Sequence, residues 1–158
     1  TPLLFSLLEQ HQSFAAAHSG ALLFTDMHFM LQQEVVERIC AAPGSKQFGR
    51  LSVMMQYFAS VEALFGVPPE AFEPRPAVNS SILRVVPHRQ LPFPAREPQR
   101  FAALVSAAFA QRRKTLRNNL KGICDAEQLE SLGVDPGCRA ESLAVQQFVA
   151  IANALSDI

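Results

Sequence analysis

A proline-rich loop that carries one aromatic ring is the first segment whose residue types could take part in a reaction. The loop reads Phe72-Glu73-Pro74-Arg75-Pro76, and its alternate prolines favour an extended backbone with little conformational entropy left to lose. A ring held in this way can stack on a base taken out of its helix, so Phe72, Pro74 and Pro76 are candidate target-base residues. Composition alone favours the alternative, in which the ring plugs the edge of a sheet beneath a surface loop.

A dense basic segment is the second candidate site, and its chemistry suits phosphate groups. It reads Gln111-Arg112-Arg113-Lys114-Thr115-Leu116-Arg117-Asn118-Asn119-Leu120-Lys121. If the segment is helical, four cations share one face, namely Arg113, Lys114, Arg117 and Lys121. Arginine can donate two hydrogen bonds to one phosphate, and acidic partners are absent from the segment. We therefore favour nucleic-acid binding by these residues and Arg112 over a solvated surface that only keeps the protein in solution.

The loop from Pro43 to Arg50 is the third candidate, because it combines glycines with the cations Lys46 and Arg50. These side chains could contact the backbone of a nucleic acid, but an ordinary connection between two helices would have the same spacing. The sequence leaves both interpretations open. A phosphate-binding P-loop is excluded, because Arg50 and Leu51 occupy the positions where that motif requires Lys followed by Ser or Thr.

The distribution of charge supports a cationic surface, although the chain as a whole has no formal net charge. Residues 96–121 hold seven basic and one acidic side chain, whereas residues 122–158 hold one basic and six acidic side chains. Positive charge gathered into such a short stretch indicates an anion-binding face rather than a uniformly solvated surface.

The elements that must position these residues divide into a strand-bearing half and a helical half. Thr1 is a predicted helix cap, and the apolar run Ala21–Leu31 predicts a strand covered on both faces, as in a parallel sheet. Two β-rich runs, Val61–Val67 and Ser81–Val86, could pair antiparallel. We also predict five helices, around residues 35–40, 51–58, 101–109, 125–133 and 145–155, from apolar side chains at helical spacing or from capping residues. Proline clusters place the domain boundaries, giving an α/β portion at residues 1–90, a linker at residues 91–98 and a helical domain at residues 99–158.

Composition narrows the classes of protein to which the chain can belong. It has 158 residues, 49% of them apolar, but it contains no apolar run near the roughly 20 residues that span a bilayer. Three scattered cysteines and four scattered histidines give no pattern of a disulfide framework, metal site or hydrolase triad. We therefore expect a cytoplasmic protein with no metal and no membrane contact. A glycine-rich nucleotide-binding turn is also absent, and the strands are too few for a complete doubly wound sheet.

Four segments in a fixed order closely resemble the bacterial small-subunit ribosomal RNA adenine dimethyltransferases. They are Asp26-Met27-His28-Phe29-Met30-Leu31-Gln32-Gln33-Glu34-Val35-Val36, Gly49-Arg50-Leu51-Ser52-Val53-Met54, the Phe72–Pro76 loop and Gln111–Asn118. The resemblance implies the C-terminal part of a Rossmann-like methyltransferase sheet followed by a small all-helical domain. It also implies methyl transfer from S-adenosylmethionine to two adjacent adenines in a hairpin loop near the 3′ end of small-subunit rRNA, within the immature small ribosomal subunit.

The family's catalytic and cofactor residues have no counterpart in this sequence. The Asn-Leu-Pro-Tyr motif would stand before Thr1, and the adenosyl-binding turn and the acidic ribose ligand are also missing, so we expect no catalytic or cofactor-binding residue here and no activity of this chain alone. The family's Lys-Val-Asp-Ser is replaced by Ala77-Val78-Asn79-Ser80. Two alternatives remain, a non-enzymatic rRNA-binding assembly factor and a large-subunit rRNA adenine methyltransferase that confers antibiotic resistance.

Overall fold

The computed structural model describes residues 2–156, so the predicted cap Thr1 lies outside the described residues. The chain divides into two compact units. The first contains the residues up to Ala41 together with Met55–Pro92, and the second contains Ala42–Met54 together with the residues from Phe93 onward.

The first unit is built on a three-stranded antiparallel sheet. Its elements are α1 (Pro2–Ala17), β1 (Met27–Gln32), α2 (Gln33–Ile39), β2 (Ala59–Val67) and β3 (Ser80–Pro87), with β3 between the other two strands. Helix α3 (Arg50–Phe58) has residues in both units. The predicted antiparallel pairing of the two β-rich runs is confirmed. Alternate residues of β3 are buried, as expected for a strand with one face against the core.

The prediction for residues 21–31 is a strand buried on both faces, as in a parallel sheet. It is wrong about the length of the strand, its direction relative to its neighbour and its burial. The strand begins only at Met27, runs antiparallel to β3, and leaves His28 and Met30 exposed. The preceding apolar residues form a bend instead, where the backbone N–H of Phe24 donates to Nδ1 of the buried His11 at 3.2 Å. Periodicity could not distinguish this loop, which that bond ties to α1, from a buried strand.

The second unit is helical, and two of its helices match the apolar stripes predicted at residues 101–109 and 145–155. Its elements from residue 93 onward are α4 (Pro98–Ala108), α5 (Leu116–Asn119), α6 (Ala126–Ser131) and α7 (Val145–Leu155). The predicted capping box of α6 is confirmed, because Asp125 Oδ1 accepts from the Gln128 backbone N–H at 2.8 Å and Gln128 Oε1 accepts from the Asp125 N–H at 2.9 Å. Gly133, with φ of 72°, follows its end as expected.

The continuous helix expected over Gln111–Lys121 is wrong for its first half. Residues 111–115 form turns, and helix α5 begins only at Leu116. The backbone N–H of Leu116 donates to the Cys138 carbonyl at 2.7 Å. Such long-range bonds replace the local helical ladder, so the basic residues do not all lie on one helical face.

Residues 42–54 pack within the helical unit, although proline placement put them in the first domain. The fully buried ring of Phe48 lies edge-to-face with Phe109, with 6.4 Å between centroids. The proline-rich segment before α4 also belongs to this unit. Asn153 of α7 accepts from the Arg96 N–H at 2.8 Å and donates to the Pro94 carbonyl at 3.2 Å.

Candidate nucleic-acid interface

Arg112 joins two of the basic segments that the sequence singles out. Its Nε lies 3.4 Å from Glu141 Oε2, and its Nη2 donates to the backbone carbonyl of Lys46. The carbonyl of the same Glu141 accepts from the Gly44 N–H at 2.6 Å. Because Glu141 binds both segments, the loop Pro43–Arg50 and the turn at residues 111–115 form one continuous surface.

Six other cations that the sequence singles out remain available to a ligand. Their side chains are exposed and have no carboxylate partner in the described part of the chain. They are Lys46, Arg50, Arg113, Lys114, Arg117 and Lys121. A phosphate backbone is a polyanion and releases counterions when such side chains neutralise it. The arrangement can therefore hold RNA by its backbone without reading its sequence. Arg112 differs from its neighbours, because its guanidinium is already bonded within the protein.

Backbone and amide contacts fix α5 and thereby place Arg117. The Arg117 N–H donates to the Pro136 carbonyl at 3.1 Å, while Leu116 is fully buried as predicted. Asn119 Nδ2 donates to the carbonyls of Ala108 at 2.7 Å and Gln111 at 3.1 Å. The Ala108 carbonyl lies at the end of α4, where carbonyls lack partners within the helix, whereas the Gln111 carbonyl also accepts from the Lys114 N–H at 2.9 Å. Asn119 and Glu141 were both missed from the sequence, since nothing in their local pattern marks a long-range partner.

The aromatic loop lies in the first unit, and its ring is half-buried. A 3₁₀ turn, Pro69–Ala71, precedes Phe72, whose N–H donates to the Pro69 carbonyl at 3.2 Å. Pro74 is exposed and follows a cis peptide bond, whereas Pro76 is half-buried. Phe72 itself, with φ of −121° and ψ of 149°, has the extended backbone predicted for this loop. The ring is neither sealed in the core nor free, so part of it can still contact a base.

The positions that depart from the family pattern line a polar groove of about 430 Å³ in the same unit. Ala77 and Asn79 line it together with Gln32 and Glu37. The Asn79 carbonyl accepts from the Gln33 N–H at 3.0 Å, which holds the loop against the end of β1. The groove thus has neutral side chains where the family pattern would supply one basic and one acidic side chain.

Strand β1 ends at Gln32 and α2 begins at Gln33, with no glycine turn between them. Across residues 2–156, no three His, Cys, Asp or Glu side chains are grouped so as to hold a metal ion. No helix in the same range is both long and apolar enough to cross a membrane.

Comparisons with known proteins identify one family across the whole chain. A family model described as "Ribosomal RNA adenine dimethylase" matches residues 1–157. A curated relative named "Ribosomal RNA small subunit methyltransferase A" from Saccharophagus degradans is 54% identical over 155 residues, which cover 98% of this chain and 54% of the relative. A relative of the same name from Methylobacillus flagellatus is 53% identical, covering 99% of this chain and 57% of the relative. The chain thus spans about half the length of these relatives.

Two solved structures share the mixed α/β fold at low sequence identity. A dimethyladenosine transferase from Plasmodium falciparum aligns with a TM-score of 0.70 at 22% identity, covering 82% of this chain and 56% of that one. The 23S rRNA methyltransferase ErmE aligns with a TM-score of 0.61 at 20% identity, covering 84% and 55%. At these identities the likeness concerns the fold.

Proposed function

The chain belongs to the ribosomal RNA adenine dimethylase family, and from that membership we propose the activity of the whole protein. It transfers methyl groups from S-adenosylmethionine to the N6 amines of two adjacent adenines in the 3′-terminal hairpin loop of small-subunit rRNA. The immature small subunit in the cytoplasm is its substrate. S-adenosylmethionine supplies the methyl group, and the residues that bind it lie outside this chain.

The observation that carries the proposal is the cationic surface assembled around Arg112 within a chain that the family model matches. Lys46 on one segment and Arg113 on the other are exposed, and Arg112 holds the two segments together. A rigid array of cations binds a folded RNA with less loss of side-chain entropy than cations on a mobile tail. We assign this surface to rRNA positioning, with Arg50, Lys114, Arg117 and Lys121 as further contacts.

Phe72 has a separate role in the same proposal. Its ring stacks on the target adenine, and Pro74 and Pro76 limit the conformations of the loop that carries it. The half-buried position of Phe72 supports this assignment, because part of the side chain remains accessible to a base.

We propose further that the first unit of the chain corresponds to the last strands of a Rossmann-like sheet, and that the second unit corresponds to the C-terminal helical domain.

Specific observations bear on two alternative functions of the protein. The large-subunit methyltransferase alternative has little support, because likeness to ErmE is limited to the fold at 20% identity while relatives named for the small subunit reach 54%. A non-enzymatic assembly factor is favoured by one observation, the direct passage from β1 to α2 without a cofactor turn. That observation describes this chain and not the whole protein, so we retain the enzyme.

Methyl transfer to immature small subunits provides the test. The whole protein is expected to dimethylate both adenines, as mapped by primer extension, and the 158-residue chain is expected to bind the subunits without modifying them. Isothermal titration of the chain with S-adenosylmethionine is expected to show no binding. Modification confined to large-subunit rRNA would overturn the proposed substrate, and absence of any modification by the whole protein would favour the assembly factor.

A further inference from the structure

We propose that a groove between α5 and α6 binds one unpaired nucleotide of the RNA, an inference that rests on the proposed function. The groove has a volume of about 590 Å³ and lies entirely within the second unit. That volume falls in the range of ordinary small-molecule sites, roughly 300 to 1,000 Å³. Its lining combines three kinds of chemistry: two cations, one exposed apolar side chain and a set of hydrogen-bonding groups.

The cationic wall suits a phosphate group. Arg117 and Lys121 line the groove and are both exposed. Helix α5 ends at its C-cap residue Leu120, whose N–H donates to the Leu116 carbonyl at 2.9 Å. Arg117 before this end and Lys121 after it line the same groove, so the two cations can bind one phosphate. No carboxylate of the described chain forms an ion pair with either side chain.

An exposed apolar side chain beside the cations suits the flat face of a base. Ile123 is 45% exposed and lines the groove. Gly122, with φ of 83°, lets the chain reverse direction between Lys121 and Ile123, a conformation that other residues rarely adopt. The Ile123 N–H donates to the Leu120 carbonyl at 2.8 Å, which fixes this turn. The apolar surface is therefore held in place before any ligand binds.

The third wall can recognise the edge of a base. The capping box uses Gln128 Oε1 and Asp125 Oδ1. The amide Nε2 of Gln128 and the second carboxylate oxygen of Asp125 therefore remain as a donor and an acceptor. A base presents both acceptors and donors on its Watson–Crick edge, whereas inorganic phosphate would be repelled by Asp125. This pairing of charges favours a nucleotide over a bare anion.

Fluorescence anisotropy with a labelled single-stranded oligoribonucleotide tests the groove in the 158-residue chain. Ile123→Ser is expected to weaken binding about 3- to 10-fold while leaving the dependence on salt unchanged, because it removes apolar contact without removing charge. Arg117→Gln is expected to weaken binding and to lower the slope of log affinity against log salt by about 0.7, the value for one phosphate contact on a single strand. The matched control is Arg113→Gln, which removes a cation outside the groove and should reduce the slope without abolishing the Ile123 effect.

Backbone amide spectra distinguish the possible ligands. The Gly122 resonance is expected to shift with the oligoribonucleotide and with adenosine monophosphate, and much less with inorganic phosphate. An equal shift with phosphate would reduce the groove to an anion site and overturn the inference. Unchanged affinity of Ile123→Ser together with an unmoved Gly122 resonance would also overturn it, while binding to immature subunits would leave the proposed function standing. If the chain bound neither the oligoribonucleotide nor immature subunits, the proposed RNA-binding role of the whole chain would be contradicted.

Discussion

Arg112 and Arg113 are neighbours in sequence but have different physical roles. Arg112 lies 3.4 Å from Glu141, whose side chain is 23% exposed, and also donates to the Lys46 carbonyl. Arg113 extends into solvent with no carboxylate partner in the described chain. Arg112 therefore maintains the surface that carries Arg113, which we propose as an rRNA contact.

Substitution of these two arginines should separate the roles. Arg112→Gln is expected to lower the free energy of unfolding by about 1 kcal/mol, since a hydrogen-bonded and partly shielded ion pair is lost. Arg113→Gln is expected to change it by less than about 0.5 kcal/mol, as is usual at the surface. Urea unfolding of both variants measures the difference. Equal stabilities would show that Arg112 does not hold the two segments together.

His11 should make the stability of the first unit depend on pH. Its ring is fully buried in α1, and Nδ1 accepts a hydrogen bond from the Phe24 N–H, which requires that nitrogen to be unprotonated. Burial lowers the pKa of His11 in the folded state below the ordinary value of 6.5. The unfolded chain therefore takes up the proton first as the pH falls, and stability is lost below about pH 6.5.

Thermal unfolding of the chain at several pH values checks this expectation. The melting temperature should fall between about pH 7.5 and pH 5.5, by a few degrees more than in the variant His11→Gln, which has no imidazole to protonate. Carboxylates contribute equally to both proteins and cancel in the comparison. Parallel pH profiles would show that His11 is not held neutral by the fold.

At the level of the elements, the junction between α4 and α5 depends on one amide. Asn119→Ala removes hydrogen bonds to the carbonyls of Ala108 and Gln111 and leaves both without that partner. The expected loss is about 1 to 2 kcal/mol in the free energy of unfolding. Asn118→Ala is the matched control, because the exposed neighbouring amide makes no such bond. Similar losses for both variants in chemical denaturation would contradict this assignment.

The helices and strands show which kinds of sequence pattern can be trusted. Helix α4 was predictable because Phe101, Leu104, Val105 and Ala108 repeat at helical spacing and are all buried. Turn 111–115 was not predictable, because its partners Lys46 and Glu141 are distant in sequence. The cationic site residues could be identified in the sequence from their charge. Only the long-range contacts show that Arg112 is bonded within the protein while the other cations remain available to a ligand.

At the scale of the molecule, the uneven distribution of charge should control binding to rRNA. Positive charge is concentrated in residues 96–121, and acidic side chains follow in residues 122–158. The double variant Arg113→Glu with Arg117→Glu is expected to weaken rRNA binding at low salt and to flatten its salt dependence, because two phosphate contacts are lost. Filter binding over a range of salt concentrations measures both effects. Unchanged affinity at low salt would leave these side chains as ordinary solvated charges.

The buried phenyl ring of Phe48 bears on any attempt to separate the molecule into pieces. A cut in the proline-rich stretch would yield a peptide that begins near residue 93 and lacks this ring, although Phe109 packs against it. The excised peptide would expose a phenyl-sized hollow and should be prone to aggregate. An autonomous version needs residues 42–54 supplied in trans, or spliced onto its start by a short flexible tether.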